Sequence, residues 1–473
     1  METLQATLKD GRKVQFLPEV VVESGGWRVH RSRDARWFVC FYADQHWARA
    51  TDRMRHLEAM LGPHNLTFDP DLGDYWTRFF VWPTAIVIEP GLGVMAPWLP
   101  LQFFFASGPH KGERKEAYWF VEPERRRALL PSERGSWLDR LQLSALLARS
   151  TKRLHRLDMC LNSFCARDLL VDPPGHGVLF FRWDNIVLPG QRPLSLSGSP
   201  GYTAPEIHAT QHLSADDPNR AVPSRHTDRF SLAVFIYQFL MGRHPLQGME
   251  SSPGDAAPVA APRGIGDSAL GRDLSQHAAS EPSGRADTSR LLGPFLETLI
   301  ERGFGEGLRT PQRRPSAAEW EVALRRTEDL VVPCGHAACS ERWFVQDASS
   351  KIQCPWCGWT STEGVPLLRL ESLKSSGQPT TEPTWVFGWP GRTLHAWHLD
   401  PTVVPDEKAD PTPCLRIARL GKQWLLVNEA LDSVATADGS SVPHGHAAEL
   451  KRGARLLLSS SRFVEIHVSG PGF

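Results

Sequence analysis

The segment from Leu154 to Pro245 decides how this chain folds. It contains the runs DLLVD (residues 168–172), VLFFRWDN (178–185), GSPGYTAPE (198–206) and SRHTDRFSLAVFIYQFLMGRHP (224–245). Apolar periodicity and turn residues divide the segment into elements. The pattern predicts, in order, a helix that ends near Leu154-His155, a loop, a short strand, a second strand, a loop and a long helix.

This order of elements resembles the C-lobe of a protein kinase. Ala204-Pro205-Glu206 resembles the triplet that closes a kinase activation segment, and Asp228-Arg229-Phe230 resembles the start of the long central helix. The resemblance implies an α+β, bilobal protein kinase-like fold over residues 1–330. The N-lobe would cover about 14–100 and the C-lobe about 101–330.

Two structural supports of that fold are present in the sequence. The resemblance implies that Glu206 pairs with Arg314, which begins the run RPSAAEW. It also implies that Asp228 braces the catalytic loop. Because breaking a buried carboxylate–guanidinium pair costs about 3–5 kcal/mol, we expect the Glu206–Arg314 pair to stabilise the C-lobe.

The N-lobe lacks the lysine that contacts nucleotide phosphates in kinases. Strands are predicted within residues 14–42, and Gly25-Gly26 stands where a phosphate-cradling loop would lie. The lysine position falls on Cys40, and no lysine occurs between Lys13 and Lys111. Gly25 and Gly26 are therefore interpreted as the remnant of a nucleotide site, with a plain hairpin turn as the alternative.

In the C-lobe, the residues at the catalytic positions also differ from those of active kinases. Counted from Leu154-His155, the general base falls on Ser163 and the magnesium-binding asparagine falls on Asp168. A serine cannot accept a proton at neutral pH. The metal-binding aspartate of the Asp-Phe-Gly motif falls on Arg182, whose permanent charge repels a divalent cation. These residues predict a pseudokinase and put the binding of ATP and magnesium in doubt.

A second alignment of the same loop leaves an active enzyme open. The run Ala166-Arg167-Asp168-Leu169 resembles the kinase motif His-Arg-Asp-Leu, and Asp184 would then bind the metal. This alignment moves the loop five residues from its helix, places Pro173 at the asparagine position and still lacks the lysine. The alternative function is a divergent Ser/Thr protein kinase that uses ATP with Asp168 and Asp184.

Residues 107–135 are charged and are predicted to be irregular. Residues 247–289 are rich in Gly, Ser, Pro and Ala, and their low hydrophobicity predicts a mobile insertion. Apolar spacing predicts two closing helices after it, at 291–304 and 316–330.

Residues 331–362 contain the most specific motif of the chain. The pair Cys334 and Cys339 is followed by Cys354 and Cys357 in a CPWCG run. Two such pairs are the ligand pattern of a structural, tetrahedral zinc site, with His336 as the alternative to Cys339. Because about thirty residues cannot bury a sufficient core alone, zinc is expected to stabilise this zinc ribbon.

The junction of a kinase-like domain and a CPWC zinc element resembles a group of bacterial kinases. The resemblance implies a stress-associated system of the tellurite type, in which such a kinase occurs with a phosphatase and a von Willebrand A-domain protein. The partners it implies are therefore proteins.

After a polar linker predicted at 363–383, short strand runs follow at intervals of about ten residues. They predict an all-β sandwich over 384–473. QWLLVN (423–428) and ELKRGARLLLS (449–459) resemble a forkhead-associated domain, and Gly391-Arg392 matches the early Gly-Arg pair of that family. Its phosphothreonine-binding stretch would fall near 410–415, where Pro411, Thr412 and Cys414 stand instead. Protein binding is the expected role, with phosphoproteins as the narrower alternative.

The composition excludes several classes of function. Lys+Arg and Asp+Glu both total 53, and this zero net charge argues against a nucleic-acid partner. No run approaches the roughly 18 apolar residues of a membrane span, and the first residues lack the apolar core of a signal peptide. Eight cysteines, four of them clustered as metal ligands would be, fit a reducing compartment. We therefore expect a cytoplasmic bacterial scaffold that regulates partner proteins in signalling or stress defence.

Overall fold

The computed structural model describes most of the chain, and the described residues form two compact units. The described ranges are 2–24, 26–44, 51–162, 164–191, 193, 199–214, 216–246, 282–347, 351–372, 383–436, 439–459 and 462–470. The first unit comprises Met1–Arg134, Ser150–Gly271 and Gly307–Arg314, and the second comprises Gly135–Arg149, Arg272–Glu306 and Pro315–Phe473. Three predicted features lie outside the described residues: Gly25, Ser163 and the insertion as far as residue 281.

A closed antiparallel barrel begins the first unit. Its strands are β1 (Leu4–Leu8), β2 (Lys13–Ser24), β3 (Trp27–Ser32), β4 (Trp37–Tyr42), β5 (Ala85–Glu89) and β6 (Gly93–Pro97), in the order β1-β2-β3-β4-β6-β5. Apolar side chains from these strands, such as Phe16, Val39 and Val87, fill the interior. Because β1 pairs with both β2 and β5, the sheet closes on itself.

Short helices lie between β4 and β5 of the barrel and after β6. They are α1 (Thr51–Leu61), α2 (Gly73–Phe79), α3 (Tyr118–Val121), α4 (Pro123–Ala128) and α5 (Pro131–Arg134). The prediction that residues 107–135 are irregular is therefore wrong from Tyr118 to Arg134, where α3, α4 and α5 lie, whereas residues 107–117 contain no helix or named strand. Their charges are neutralised in pairs: buried Lys115 lies 2.8 Å from Oε2 of Glu133 and 2.8 Å from Oδ1 of Asp172. A buried charge is tolerated when it is paired in this way.

The segment that decides the fold forms two hairpin-like pairs and two helices in the first unit. The strands are β7 (Cys160–Leu161), β8 (Leu169–Asp172), β9 (Gly177–Phe180) and β10 (Ile186–Val187), and the helices are α7 (Pro205–Thr210) and α8 (Arg225–Met241). A capping box at Ser224 and Thr227 starts α8. Gly242, with φ of 72°, ends it in the left-handed conformation that glycine adopts without strain. Most of the side chains of α8 are buried.

Helices also begin the second unit. They are α6 (Trp137–Arg156), which continues into the first unit from Ser150, α9 (Pro282–Phe304), α10 (Glu306–Arg309), which belongs to the first unit from Gly307, and α11 (Ala317–Glu328). A capping box between Ser316 and Glu319 starts α11. Helix α9 begins inside the predicted insertion and is interrupted at Gly293, whose φ is 74°. Segments that the sequence assigned to the kinase-like domain therefore belong to the same unit as the C-terminal residues.

The remaining strands of the second unit form one small hairpin and two larger sheets. The hairpin is β11 (Val331–Pro333) with β12 (Trp343–Val345). The six-stranded sheet has the order β14-β13-β22-β21-β18-β19, and the four-stranded sheet has the order β15-β16-β17-β20. Their bounds are β13 (Val365–Ser372), β14 (Thr384–Phe387), β15 (Thr393–Leu394), β16 (Leu415–Leu420), β17 (Gln423–Asn428), β18 (Ser433–Thr436), β19 (Ser441–Pro443), β20 (Ala447–Glu449), β21 (Arg455–Ser459) and β22 (Arg462–Ser469), with helix α12 (Ala396–Leu399) after β15.

One core joins these two sheets. It contains Leu368 of the six-stranded sheet and Ile417 of the four-stranded sheet, both fully buried. The predicted linker at 363–383 is wrong over part of its length, because β13 lies there and pairs with both β14 and β22. The apolar residues of VPLLRLES explain this strand, since Leu367, Leu368 and Leu370 are buried. In the described part of the chain, no helix is long and apolar enough to span a bilayer.

Candidate functional site

The first unit contains a cavity of about 730 Å³, which we call the cleft. Its aromatic lining from the barrel consists of Trp27, Phe38 and Trp98, and the later segments add Phe104, Tyr118, Trp119, Phe181 and Trp183. Its charged lining consists of Glu113, Arg114, Glu116, Arg167, Arg182 and Asp184. Aromatic walls with a few convergent charges are typical of a site for a small organic molecule.

Cys40, the residue at the predicted lysine position, lines the cleft from β4. It pairs with Val29 of β3 and Val94 of β6, so the barrel fixes its position. Burial raises the pKa of its thiol to about 12, and the negative charge of Asp184 adds to that rise. A neutral thiol at this point cannot hold a phosphate as a lysine ammonium does.

Arg182 lies beside Asp184 and Asp168 in the cleft. Nε of Arg182 donates to Oδ1 of Asp184, and Nη2 donates to Oδ2, both at 3.0 Å. Nη1 lies 3.7 Å from Oδ1 of Asp168. Burial alone would lower the pKa of Arg182, but the hydrogen bonds and charges of the two carboxylates outweigh burial and raise it. The guanidinium therefore stays charged between both acids.

Both carboxylates have further protein partners. The indole Nε1 of Trp27 donates to Oδ2 of Asp184 at 3.0 Å. Oδ2 of Asp168 accepts from the backbone N–H of Cys165 at 2.8 Å. Asp168 is buried, and burial raises its pKa although the charge of Arg182 opposes this rise. Protein donors therefore occupy both oxygens of Asp184 and Oδ2 of Asp168, and Oδ1 of Asp168 faces the guanidinium of Arg182.

Glu206 and Arg314 contact each other in the first unit. Nη1 of Arg314 donates to Oε1 of Glu206 at 2.8 Å, and Nη2 donates to Oε2 at 2.7 Å. The guanidinium also donates to the carbonyl oxygens of His226 and Gly307. Arg314 is buried and Glu206 is partly exposed. This two-point contact ties the start of α7 to the residues after α10.

Asp228 is completely buried and lies beside the segment that follows α6. Its Oδ2 accepts from the backbone N–H of Leu161 at 2.9 Å and lies 3.0 Å from Nε2 of His155. Burial raises its pKa, and the bonds from His155 and Leu161 act in the opposite direction. Asp228 therefore fixes the backbone just before residue 163, which itself lies outside the described residues.

The glycine pair has a simpler placement. Gly26 is exposed in the turn between β2 and β3, with φ of 81°, and Gly25 is not among the described residues. A hairpin turn that needs a left-handed residue explains Gly26.

The four predicted cysteine ligands form one cluster in the second unit. The sulfur atoms of Cys334, Cys339, Cys354 and Cys357 all lie within 4.8 Å of one another. Sγ of Cys334 lies 3.6 Å from that of Cys357, and Sγ of Cys339 lies 3.9 Å from that of Cys354. Four thiolates at about 2.3 Å from a tetrahedral zinc would be about 3.8 Å apart. The cluster predicted from the sequence is confirmed, and its donors fit zinc.

His336, the alternative ligand, is exposed and is not a member of the cluster. Burial opposes ionisation of Cys357, but hydrogen bonds from the Trp359 backbone, His336 and other thiols outweigh it and lower the pKa of Cys357 to about 6. His336 therefore lies beside the thiols as a hydrogen-bond partner.

Turns on both sides of the cluster bring the sulfurs together. The N–H of Cys334 donates to the carbonyl of Arg342 at 2.7 Å, and the N–H of Cys354 donates to the carbonyl of Trp359 at 2.8 Å. Gly358, with φ of 76°, completes the second turn. A Cβ at Gly335 would lie 2.4 Å from the Trp359 ring, so only glycine fits there.

Comparisons with known proteins give structural likeness only. No protein-family model and no curated protein matches the chain. Among solved structures, the chain is similar to a rhoptry kinase from Toxoplasma gondii at 15% identity and a TM-score of 0.44, over 68% of this chain and 83% of that chain. It is also similar to the kinase domain of a Toxoplasma gondii specific rhoptry antigen at 16% identity and a TM-score of 0.36, over 53% and 75%.

Sequence reasoning missed a buried cluster at Asp329 in the second unit. Oδ1 of Asp329, just after α11, binds the guanidinium of Arg392 and lies 3.0 Å from Nε2 of His398. All three side chains are buried. Arg392 belongs to the Gly-Arg pair that resembles a phosphopeptide-binding domain, but here it binds an acid of its own chain. The only signal in the sequence was the Gly391-Arg392 pair itself.

Proposed function

We propose that residues 1–330 form a protein kinase-like domain that does not transfer phosphate, and that the chain acts as a scaffold for partner proteins. The ion pairs of Arg182 with Asp184 and Asp168 carry this proposal. Kinases hold magnesium through acidic and amide oxygens at the end of this cleft. A guanidinium between the two acids supplies the positive charge itself and occupies both oxygens of Asp184.

The contacts of Glu206 and Asp228 favour the kinase-like fold in this proposal. Glu206 binds Arg314, and Asp228 binds the backbone at Leu161, as the resemblance implies. The catalytic groups differ: Cys40 replaces the lysine, and the sequence places Ser163 at the position of the base. Retained structural pairs together with lost catalytic groups fit a protein that keeps the fold for binding.

The rival function is a divergent Ser/Thr kinase that uses Asp168 and Asp184. One observation favours it, because Oδ1 of Asp184 and Oδ1 of Asp168 lie 3.0 Å and 3.7 Å from the guanidinium of Arg182. Asp168 would then have to act as a base. Its burial and its bond to the N–H of Cys165 disfavour that role.

A phosphotransfer assay separates the two functions. Wild-type protein is incubated with radiolabelled ATP, generic protein substrates and either magnesium or manganese. The scaffold proposal expects only background labelling in wild type and in Asp168→Asn and Asp184→Asn. Labelling by the wild type that is lost in both variants would establish the kinase.

We propose that the cysteine cluster binds one structural zinc ion. The supporting observation is the set of sulfur distances, which matches a tetrahedral site closed by four protein ligands. A site without an open position has no place for a substrate, so the metal would stabilise the fold. Zinc measured by elemental analysis of protein purified without chelator tests this, with about one ion per chain expected.

We propose that the C-terminal sheets form a β-sandwich, similar to a forkhead-associated domain, that binds partner proteins. Two sheets around one core support the sandwich. The engagement of Arg392 by Asp329 disfavours phosphothreonine as the bound group. The partners we propose are the phosphatase and the von Willebrand A-domain protein of a bacterial stress system. Co-purification of either with the full chain, lost on deleting residues 384–473, tests this role.

A further inference from the structure

The cleft has the size and wall chemistry of a site for a small organic molecule. Its volume of about 730 Å³ lies within the range of roughly 300–1,000 Å³ that is usual for such sites. Two groups of side chains line it. The first group consists of Trp27, Arg182, Trp183 and Asp184, which contact one another. The charges of Arg182 and Asp184 neutralise each other. The second group lies around Tyr118, where Arg114 pairs with Glu116 at 2.8 Å and Arg167 lies farther from the same acid.

Arg167 is the cation of the second group that retains unused hydrogen-bond donors. Its side chain is 59% exposed, and its nearest acid, Glu116, is 3.7 Å away, which is too far for a hydrogen bond. Within the described residues, no hydrogen bond reaches the guanidinium of Arg167. The guanidinium lies 3.7 Å from the centre of the Tyr118 ring, and this contact holds it at the wall of the cleft.

A second arginine adds positive charge at the same ring. The guanidinium of Arg125 lies 3.6 Å from the centre of Tyr118. Its Nη1 atom is buried and has no hydrogen-bond partner among the described residues. Burial lowers the pKa of Arg125, and the charge of Arg167 lowers it further. Nε of Arg125 lies 2.9 Å from Oε2 of Glu122, and this acid offsets the charge of Arg125. Arg167 is therefore the cation at this ring that an anionic ligand would neutralise.

We propose that the cleft binds a planar aromatic molecule that carries one acidic group, without a metal ion. The ring system packs among aromatic side chains such as Phe38, Trp98 and Trp119, and the acidic group accepts hydrogen bonds from Arg167. Guanidinium groups suit carboxylate, sulfonate and phosphate groups because their parallel donors match two oxygens. The inference rests on the proposed function only in that the cleft does not take ATP with magnesium.

The test compares two probes with the same rings and different charge. 8-Anilinonaphthalene-1-sulfonate carries one sulfonate, and N-phenyl-1-naphthylamine lacks it; both fluoresce more strongly in apolar surroundings. The full chain is titrated with each probe as wild type, Arg167→Gln, Trp119→Ala and Arg455→Gln. The last variant removes an exposed arginine of β21 that does not line the cleft.

We expect one sulfonated probe to bind per chain in the presence of EDTA. Arg167→Gln should weaken it about ten-fold or more, because a charge-assisted hydrogen bond is lost, and should leave the uncharged probe unaffected. Trp119→Ala should weaken both probes, and Arg455→Gln neither. Equal affinity of the sulfonated probe for Arg167→Gln and Arg455→Gln would overturn the inference, as would unchanged binding of both probes to Trp119→Ala. Stabilisation by ATP that requires magnesium would instead contradict the proposed function.

Discussion

Arg182 and Asp184 form a two-point ion pair in the cleft, with both hydrogen bonds at 3.0 Å. The same guanidinium faces Asp168 at 3.7 Å. Bidentate pairing of this kind fixes both geometry and charge. In the function we propose, this cation stands where a kinase has a magnesium ligand, and the catalytic account of this chain depends on that pair.

The Glu206–Arg314 pair is expected to stabilise the first unit. Arg314→Ala leaves Glu206 without its cation and removes two bonds to backbone carbonyls. We predict a loss of about 3–5 kcal/mol in the free energy of unfolding, measured by urea titration of the full chain. Arg243→Ala, which removes an exposed arginine of the same unit, should change it by less than about 0.5 kcal/mol. Equal effects of the two variants would contradict the prediction.

Acid is expected to destabilise the first unit through Glu133. Burial opposes ionisation of Glu133, but Lys115 and the N–H of Ala106 outweigh it and hold its pKa below its ordinary value of 4.5. The stability that Glu133 contributes is therefore present above pH 4.5 and is lost as the pH falls below that value. The pKa of Lys115 is raised, so its contribution is constant across this range.

This acid dependence is measured as the free energy of unfolding between pH 3 and 7. Glu133→Gln keeps the shape of the side chain but does not titrate, so its curve should be flatter than that of the wild type at low pH. Glu124→Gln, a change at another acid in the short helix before it, is the control. Parallel curves for wild type and Glu133→Gln would show that the Lys115 cluster does not determine the dependence.

Zinc removal is expected to affect more of the second unit than the zinc ribbon. Glu341, between β11 and β12, is buried and binds Arg140 of α6. Cys354→Ser should abolish zinc binding and loosen this contact, whereas Cys414→Ser, outside the cluster, should leave zinc at about one per chain. Hydrogen exchange of residues 137–149 and 331–347 reports the loss. Protection of 137–149 that is unchanged in zinc-free Cys354→Ser would contradict the coupling.

Asp329 is expected to be required for the stability of the second unit. Asp329→Asn leaves Arg392 buried without an anion, and we predict a loss of about 3–5 kcal/mol in the free energy of unfolding. Asp432→Asn, at an exposed acid, serves as the control. Arg392→Gln should lower the free energy of unfolding much less in the Asp329→Asn variant than in the wild type, because the two residues act as a pair. If the losses of the two single variants add up in the double variant, the residues do not act as a pair.

The sequence predicted the local features of the molecule better than the long-range ones. Cys334 and Cys357 were predicted because ligand spacing is a local pattern. The barrel closure by Leu4–Leu8 and the strand at Val365–Ser372 were not predicted, since each depends on pairing with strands far along the chain.

In the candidate site too, the sequence predicted residue positions but not the contacts between distant residues. Arg182 was predicted to stand at the position of a kinase metal ligand because it follows the strand predicted at 178–181. Its hydrogen bonds to Asp184, and the bond from Trp27 to that acid, required the fold, because 157 residues separate Trp27 from Asp184. The pairing of Asp329 with Arg392 and His398 likewise joins residues that no local pattern connects.

The most direct test of the central claim is the thermal stability of the wild-type chain with saturating ATP, measured with magnesium and with EDTA. Because the proposed function places Arg182 at the metal position, we predict that magnesium and ATP together raise the melting temperature by no more than ATP with EDTA does. A ligand at 100 times its dissociation constant adds about 2.7 kcal/mol, or roughly 5–10 °C in a unit of this size. A rise of that size that requires magnesium and disappears in Asp184→Asn would contradict the account.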